Sequence, residues 1–143
     1  MNPADRLPVF AAALWWGSLT AVGLVVVPLL FKHLPTAALA GSMAARLFTA
    51  QTWIALGCGL LLILVARGRE ATASMDWAGG ALRYIAGGML LALLLEFAVA
   101  PRILARQNLP LWHGVGSTML LLQWVCAGLV LWKVAAIRSA APS

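Results

Sequence analysis

Four long apolar stretches, each bounded by charged or helix-breaking residues, divide the chain. They run from about residue 7 to 31, 42 to 66, 78 to 101 and 113 to 136. Each exceeds the roughly 20 apolar residues that an α-helix needs to cross a bilayer, and connections of about ten residues make neighbouring helices antiparallel. The pattern predicts one all-α domain over residues 1–143, an integral membrane four-helix bundle with up-down-up-down order.

The composition supports a membrane location and excludes a soluble catalytic domain. Hydrophobic residues make up 63% of the chain, charged residues make up 10%, and the mean hydropathy is +0.94. These values lie far outside the soluble range. The net charge of +6 suits helix ends beside anionic headgroups. The lipid bilayer is therefore the predicted partner, and no nucleic acid is expected.

The first apolar stretch has a competing interpretation as a secretory signal peptide, because Ala38 and Ala40 form an A-x-A-like site. A cleavable apolar region is usually about 7 to 15 residues, which is shorter than this stretch, so a span is favoured. Orientation follows from Lys and Arg counts. The side with both termini holds Arg6, Arg67, Arg69, Arg83, Lys133 and Arg138, and the other side holds Lys32, Arg46, Arg102 and Arg106. Six against four predicts cytoplasmic termini.

The third stretch contains one charge, Glu96, in the seventeen residues 84–100. A carboxylate in hydrocarbon is costly unless it is paired, protonated or hydrated, so it marks a functional site by default. Gly88 and Ala92 precede it at four-residue spacing, which predicts that Glu96 faces protein. Arg46 lies at a similar depth on the second stretch. We therefore predict a salt bridge between Arg46 and Glu96.

Two histidines and two prolines fall at the same end of the predicted bundle. His33 follows the first stretch, and His113 begins the fourth. Pro28 and Pro101 each remove a backbone donor, so kinked and hydrated helices are expected there. Together with Arg46 and Glu96, the histidines predict a polar vestibule at this end.

The two histidines also raise an alternative, ligation of heme or copper. Neither histidine stands in a recognised ligand spacing, so no metal site and no cofactor is predicted, and bonding to headgroups or backbone is favoured. Cys58 and Cys126 occur singly and are interpreted as buried thiols. No serine, histidine and aspartate set or phosphate loop is present, so an enzyme is not favoured.

Further polar and small residues are interpreted as packing groups. Gln51, Gln123 and Ser117 are expected to bond between helices. The small residues Ala13, Gly17 and Ala21 lie four apart on the first stretch and are predicted to face inward.

The two halves of the chain contain similar segments, VVVPLLFKHLP and AVAPRILARQNLP. Gln51 follows Pro28 by 23 residues, and Gln123 follows Pro101 by 22. This spacing suggests two repeated helical hairpins in the same orientation, although so few identities also fit coincidence.

The segment LWWGSLTAVGLVVVPLLFKHLPTAALAGSMAARLF, with its tryptophan-glycine entry and P-x-L-F step, carries a family resemblance. Together with Pro101, Trp112, His113 and Ser117, it resembles small bacterial membrane proteins of unknown function related to the eukaryotic transmembrane protein 205. The resemblance implies a four-helix protein of the bacterial inner membrane; the eukaryotic relative is associated with platinum-drug resistance. A looser likeness is to copper-resistance D proteins and the membrane protoporphyrinogen oxidase, whose paired histidines inside the membrane are not evident here.

Three functional classes therefore stay open. The first is passage of, or tolerance to, a solute or metal compound through the vestibule. The second is a heme or copper redox protein, and the third is a structural or assembly subunit of a membrane complex. Four helices are few for an alternating-access carrier, so transport would require a homo-oligomer or another membrane partner.

Overall fold

The computed structural model describes residues 3–69 and 76–139. Four helices in these ranges are long and apolar enough to cross a membrane, and they are called the first to fourth spans: Arg6–His33, Ala37–Arg67, Gly80–Leu104 and Leu109–Ala136. The described ranges contain no β-strand. The predicted all-α class with four membrane-spanning helices is confirmed.

Each helix extends beyond its predicted apolar stretch. The first helix consists of Pro3–Thr20, the π-helical stretch Ala21–Val26 and Val27–His33, and the second helix is Ala37–Arg69. The third helix consists of Asp76–Leu94, the π-helical stretch Leu95–Val99 and Ala100–Leu104, and the fourth helix is Leu109–Ser139. A helix satisfies its own backbone, so it can continue past the last apolar residue into the interface. Most of the expected polar linker between the second and third spans lies outside the described residues.

Two connections are shorter than the ten residues expected from sequence. Residues 34–36 join the first two spans, and residues 105–108 join the last two. Thr36 caps the second helix, since the Leu39 N–H donates to Thr36 Oγ1 at 3.2 Å. Arg106 and Asn108 adopt positive φ values of 54° and 37°, which reverse the chain within four residues. Such short turns leave only antiparallel neighbours.

The spans form a closed ring in chain order. Each packs against the next, and the fourth packs against the first. Every span contributes a large, fully buried side chain to the centre: Trp15, Leu62, Ile85 and Val130. The outer surface keeps bulky apolar groups such as Trp132, which is 74% exposed. Buried packing and polar contacts hold such a bundle, because lipid tails are as apolar as its outer face.

The small face of the first span points outward, contrary to the prediction. Ala13, Gly17 and Ala21 are all exposed. The fully buried Trp15 sets the rotation of this helix, because its ring packs directly on Gly88 of the third span. A Cβ atom added to Gly88 would lie 2.8 Å from Trp15 Cη2. Close approach therefore depends on a glycine of the third span.

The structure supports the predicted repeat. The Val27 N–H donates to the Val22 carbonyl, and the Ala100 N–H donates to the Leu95 carbonyl, both five residues back. These pairs are 73 residues apart, as are Pro28 and Pro101. Each proline thus follows a π-helical stretch at the same place in its hairpin.

A candidate polar site around Glu96

Glu96 lies inside the bundle at a backbone irregularity. It is the only acidic residue within the four spans, and its side chain is half-buried. It is the second residue of the π-helical stretch Leu95–Val99, which contacts the second and fourth spans. π-helical turns are rare in proteins overall, and those that occur are often found at functional sites. Gly88 and Ala92, which precede Glu96 on its stripe, are buried, so the stripe faces protein.

Thr49 of the second span is the hydrogen-bond partner of Glu96. Its Oγ1 lies 2.8 Å from Glu96 Oε1 and 3.2 Å from the Ala45 carbonyl. One hydroxyl proton serves one acceptor well, so the shorter contact to the carboxylate takes it. The bond joins the second and third spans through a neutral group, and the carboxylate charge is not balanced by it.

The predicted salt bridge between Arg46 and Glu96 is not formed. Arg46 is exposed, and Glu96 bonds to Thr49 instead. Similar depth along the bundle does not fix the direction in which a side chain points. Arg46 lies nearly one turn before Thr49 on the second span, and its side chain is exposed, whereas the side chain of Thr49 is half-buried and meets Glu96.

Deeper in the bundle than Glu96, two glutamines lie in the core. Gln51 Nε2 donates to Ser18 Oγ of the first span at 3.0 Å. Gln123 is also buried, but its Nε2 atom has no hydrogen-bond partner within residues 3–69 and 76–139. Gln51 thus bonds between helices as expected, whereas the predicted partner of Gln123 is not observed. Ser117, the third predicted packing group, is exposed.

A tryptophan contact that the sequence reasoning missed joins the first and fourth spans. Trp124 Nε1 donates to Thr20 Oγ1 at 2.8 Å, and the ring of Trp124 lies 5.4 Å from that of Trp16. Thr52 Oγ1 donates to the Phe48 carbonyl of its own helix at 3.1 Å and lies 3.5 Å from the Ala92 carbonyl of the third span. Threonines within apolar helices were the available signal for these contacts.

The vestibule residues do not converge as predicted. His33 and His113 share one end of the bundle, and both are exposed. Beside them, Arg102 donates from Nη1 to the Ala98 carbonyl, and its guanidinium lies 4.6 Å from the centre of the Trp112 ring. Arg102 therefore anchors the end of the third span at the interface, a role that the sequence analysis did not assign.

The side chains around the site offer no metal-ligand cluster. Among the described residues, no group of three or more His, Cys, Asp or Glu side chains could hold a metal ion. Cys58 and Cys126 are free thiols, buried and half-buried respectively.

Fold and site together define a small multi-pass membrane protein with a carboxylate inside its helical bundle. The chain belongs to the family described as a domain of unknown function, DUF4149, whose pattern matches residues 10–109. No curated protein matches the chain. No solved structure matches it either.

Proposed function

We propose that this protein binds a cationic solute or metal compound within the membrane and takes part in its passage or in tolerance to it. The carrying observation is Glu96, a half-buried carboxylate inside a span whose hydrogen bond comes from a neutral hydroxyl. A charge in this position is costly without a cation, a proton or water beside it. In this proposal, a bound cation balances Glu96, and Thr49 positions the carboxylate.

The basic residues at the same end do not oppose this role. Lys32, Arg46, Arg102 and Arg106 are all exposed. Lys32, Arg102 and Arg106 lie near helix ends, where anionic headgroups offset their charge. Arg46 is exposed and does not pair with Glu96, which bonds to Thr49. Glu96 lies about 12 Å further into the bilayer than the end of its span at Leu104.

The proposal includes a location and an assembly. We place the protein in the bacterial inner membrane with cytoplasmic termini, on the Lys and Arg counts and the likeness to bacterial relatives of transmembrane protein 205. Because four spans are few for a carrier, passage would use a homo-oligomer or a membrane partner. A reporter fused after Ser143 tests the orientation: activity on the cytoplasmic side agrees with it, and activity on the outer side contradicts it.

Growth of a deletion strain tests the function. The strain would carry wild-type protein, Glu96→Gln or Asp76→Asn and would be exposed to divalent metal salts, quaternary ammonium compounds and a platinum complex. Asp76→Asn removes the same charge outside the four spans and is the matched control. We expect deletion to change the tolerance to at least one compound. The Asp76→Asn protein should restore wild-type tolerance, and the Glu96→Gln protein should not. Equal restoration by both variants, at equal membrane levels, would contradict the proposal.

A further inference from the structure

Three polar atoms in the centre of the bundle have no hydrogen-bond partner among the described residues: Trp15 Nε1, Gln51 Oε1 and Gln123 Nε2. Their side chains are 0%, 3% and 2% exposed. Neither bulk solvent nor lipid headgroups reach such positions in a membrane bundle. Leaving a buried polar atom without a partner is costly, so a partner for all three is expected.

The three side chains lie at one level of the bundle. Ser18 follows Trp15 by one helical turn, and it accepts the hydrogen bond from Gln51. On the opposite side, the ring of Trp15 packs on Gly88, which also lies close to Cys126. Gln123 precedes Cys126 by one turn. The three residues therefore lie on the first, second and fourth spans, at backbone positions within about 5 Å along the bundle axis.

Divergence between the two hairpins explains why Gln123 lacks a partner. Gln51 and Gln123 occupy matching positions, 72 residues apart. Gln51 donates to Ser18, whereas the residue 73 positions after Ser18 is Leu91, which has no acceptor in its side chain. The second hairpin thus contains the matching glutamine but not the hydroxyl that accepts its hydrogen bond in the first hairpin.

We propose that Trp15, Gln51 and Gln123 bind one buried water molecule. The site presents two N–H donors and one carbonyl acceptor, so its ligand must accept twice and donate once. A water molecule does this and has one donor to spare; buried waters commonly make about three hydrogen bonds. A metal ion or an ammonium group does not fit, because neither accepts a hydrogen bond from the two N–H groups. The site is thus distinct from the proposed cation site at Glu96 and does not depend on it.

Solid-state NMR of isotope-labelled protein in lipid bilayers tests the proposal by magnetisation transfer from water. We expect early transfer to the Trp15 indole N–H and to the side-chain amides of Gln51 and Gln123. Trp124 is the internal control, because its indole N–H donates to Thr20. Magnetisation transfer from water to the Trp124 indole N–H should be about as weak as transfer to backbone N–H groups of the apolar core. Equally weak transfer to Trp15 and Trp124 would overturn the proposal.

A variant sharpens the test. Gln123→Met keeps the approximate volume of the side chain and removes one of the two donors to the water. We expect a several-fold loss of transfer to Gln51 and Trp15 in this variant, whereas Leu122→Met, at an exposed neighbouring position, should leave the transfer unchanged. Undiminished transfer in folded Gln123→Met would also overturn the proposal. If that variant fails to fold, the wild-type comparison of Trp15 with Trp124 still decides.

Discussion

The two helical hairpins share a framework and differ in their polar residues. In both, a π-helical stretch leads into a proline, and a buried glutamine follows in the next span. The position 73 residues before Glu96 is Gly23, which lies against Leu120 in close packing. The shared features build the bundle, whereas the acid occurs in one copy alone. The features that build the bundle are therefore distinct from the acid on which the proposed function rests.

The largest expected effect concerns the contact between the two halves. Gly88→Ala would place a Cβ atom 2.8 Å from two ring atoms of the fully buried Trp15. Overpacking of this kind typically costs about 1 to 3 kcal/mol and occasionally more, and the rigid indole ring of Trp15 places this case at the upper end. Gly87→Ala is the control, because nothing lies within 4 Å of its added Cβ. In thermal unfolding measured in detergent, the midpoint temperature should fall clearly for Gly88→Ala and should not fall for Gly87→Ala. Equal midpoints for the two variants would show that this contact does not join the hairpins.

The next effect concerns the hydrogen bond between Thr49 of the first hairpin and Glu96 of the second hairpin. Thr49→Val removes the hydroxyl that donates to Glu96 and leaves the carboxylate without that bond. Losing a hydrogen bond to a charged group costs about 1.5 to 3 kcal/mol. Thr118→Val is the control, since Thr118 is exposed and bonds only to the Gly114 carbonyl of its own helix. A denaturant titration in which both variants lose equal stability would contradict the role of Thr49.

A smaller difference is expected between the two matching glutamines. Gln51→Met removes the bond to Ser18, whereas Gln123→Met removes no bond to another side chain. Gln51→Met should therefore be the more destabilising, by about 1 kcal/mol, the usual contribution of one hydrogen bond. Unfolding midpoints of the two variants measured side by side provide the test. A larger loss for Gln123→Met would mean that the asymmetry between the hairpins has been assigned to the wrong glutamine.

The smallest effect is expected for Arg46. Because Arg46 is exposed and does not pair with Glu96, Arg46→Ala should change stability by less than about 0.5 kcal/mol. In a double-mutant cycle with Glu96→Gln, the effects on the free energy of unfolding should add within roughly 0.5 kcal/mol. A coupling well above that value would restore the salt bridge that the sequence predicted.

The fold was largely predictable because bilayer thickness sets the length of an apolar helix. Four spans and their order follow from hydropathy, whereas the matching positions of Pro28 and Pro101 suggested the repeat without separating it from coincidence. The rotation of each helix was harder, since an apolar span carries no polar face to orient it. The small face of the first span was therefore assigned to the interior, although the burial of Trp15 turns it outward.

The candidate site was predicted in part. Glu96 is identifiable from sequence because a lone acid in an apolar run is costly. Its partner was not, because axial depth pointed to Arg46 while the angular position selects Thr49. A threonine hydroxyl can bond to its own helix or to a neighbour, so its role depends on helix packing that the sequence does not display.

The most direct test is cation binding by the purified protein. Equilibrium binding of a divalent metal ion and of tetramethylammonium would be measured for wild-type protein, Glu96→Gln and Asp76→Asn in the same detergent. We predict a saturable site for at least one of these cations in wild type and in Asp76→Asn, weakened at least about tenfold in Glu96→Gln. Binding that is equal in wild type and Glu96→Gln, or absent from wild type for both probes, would contradict the role assigned to Glu96.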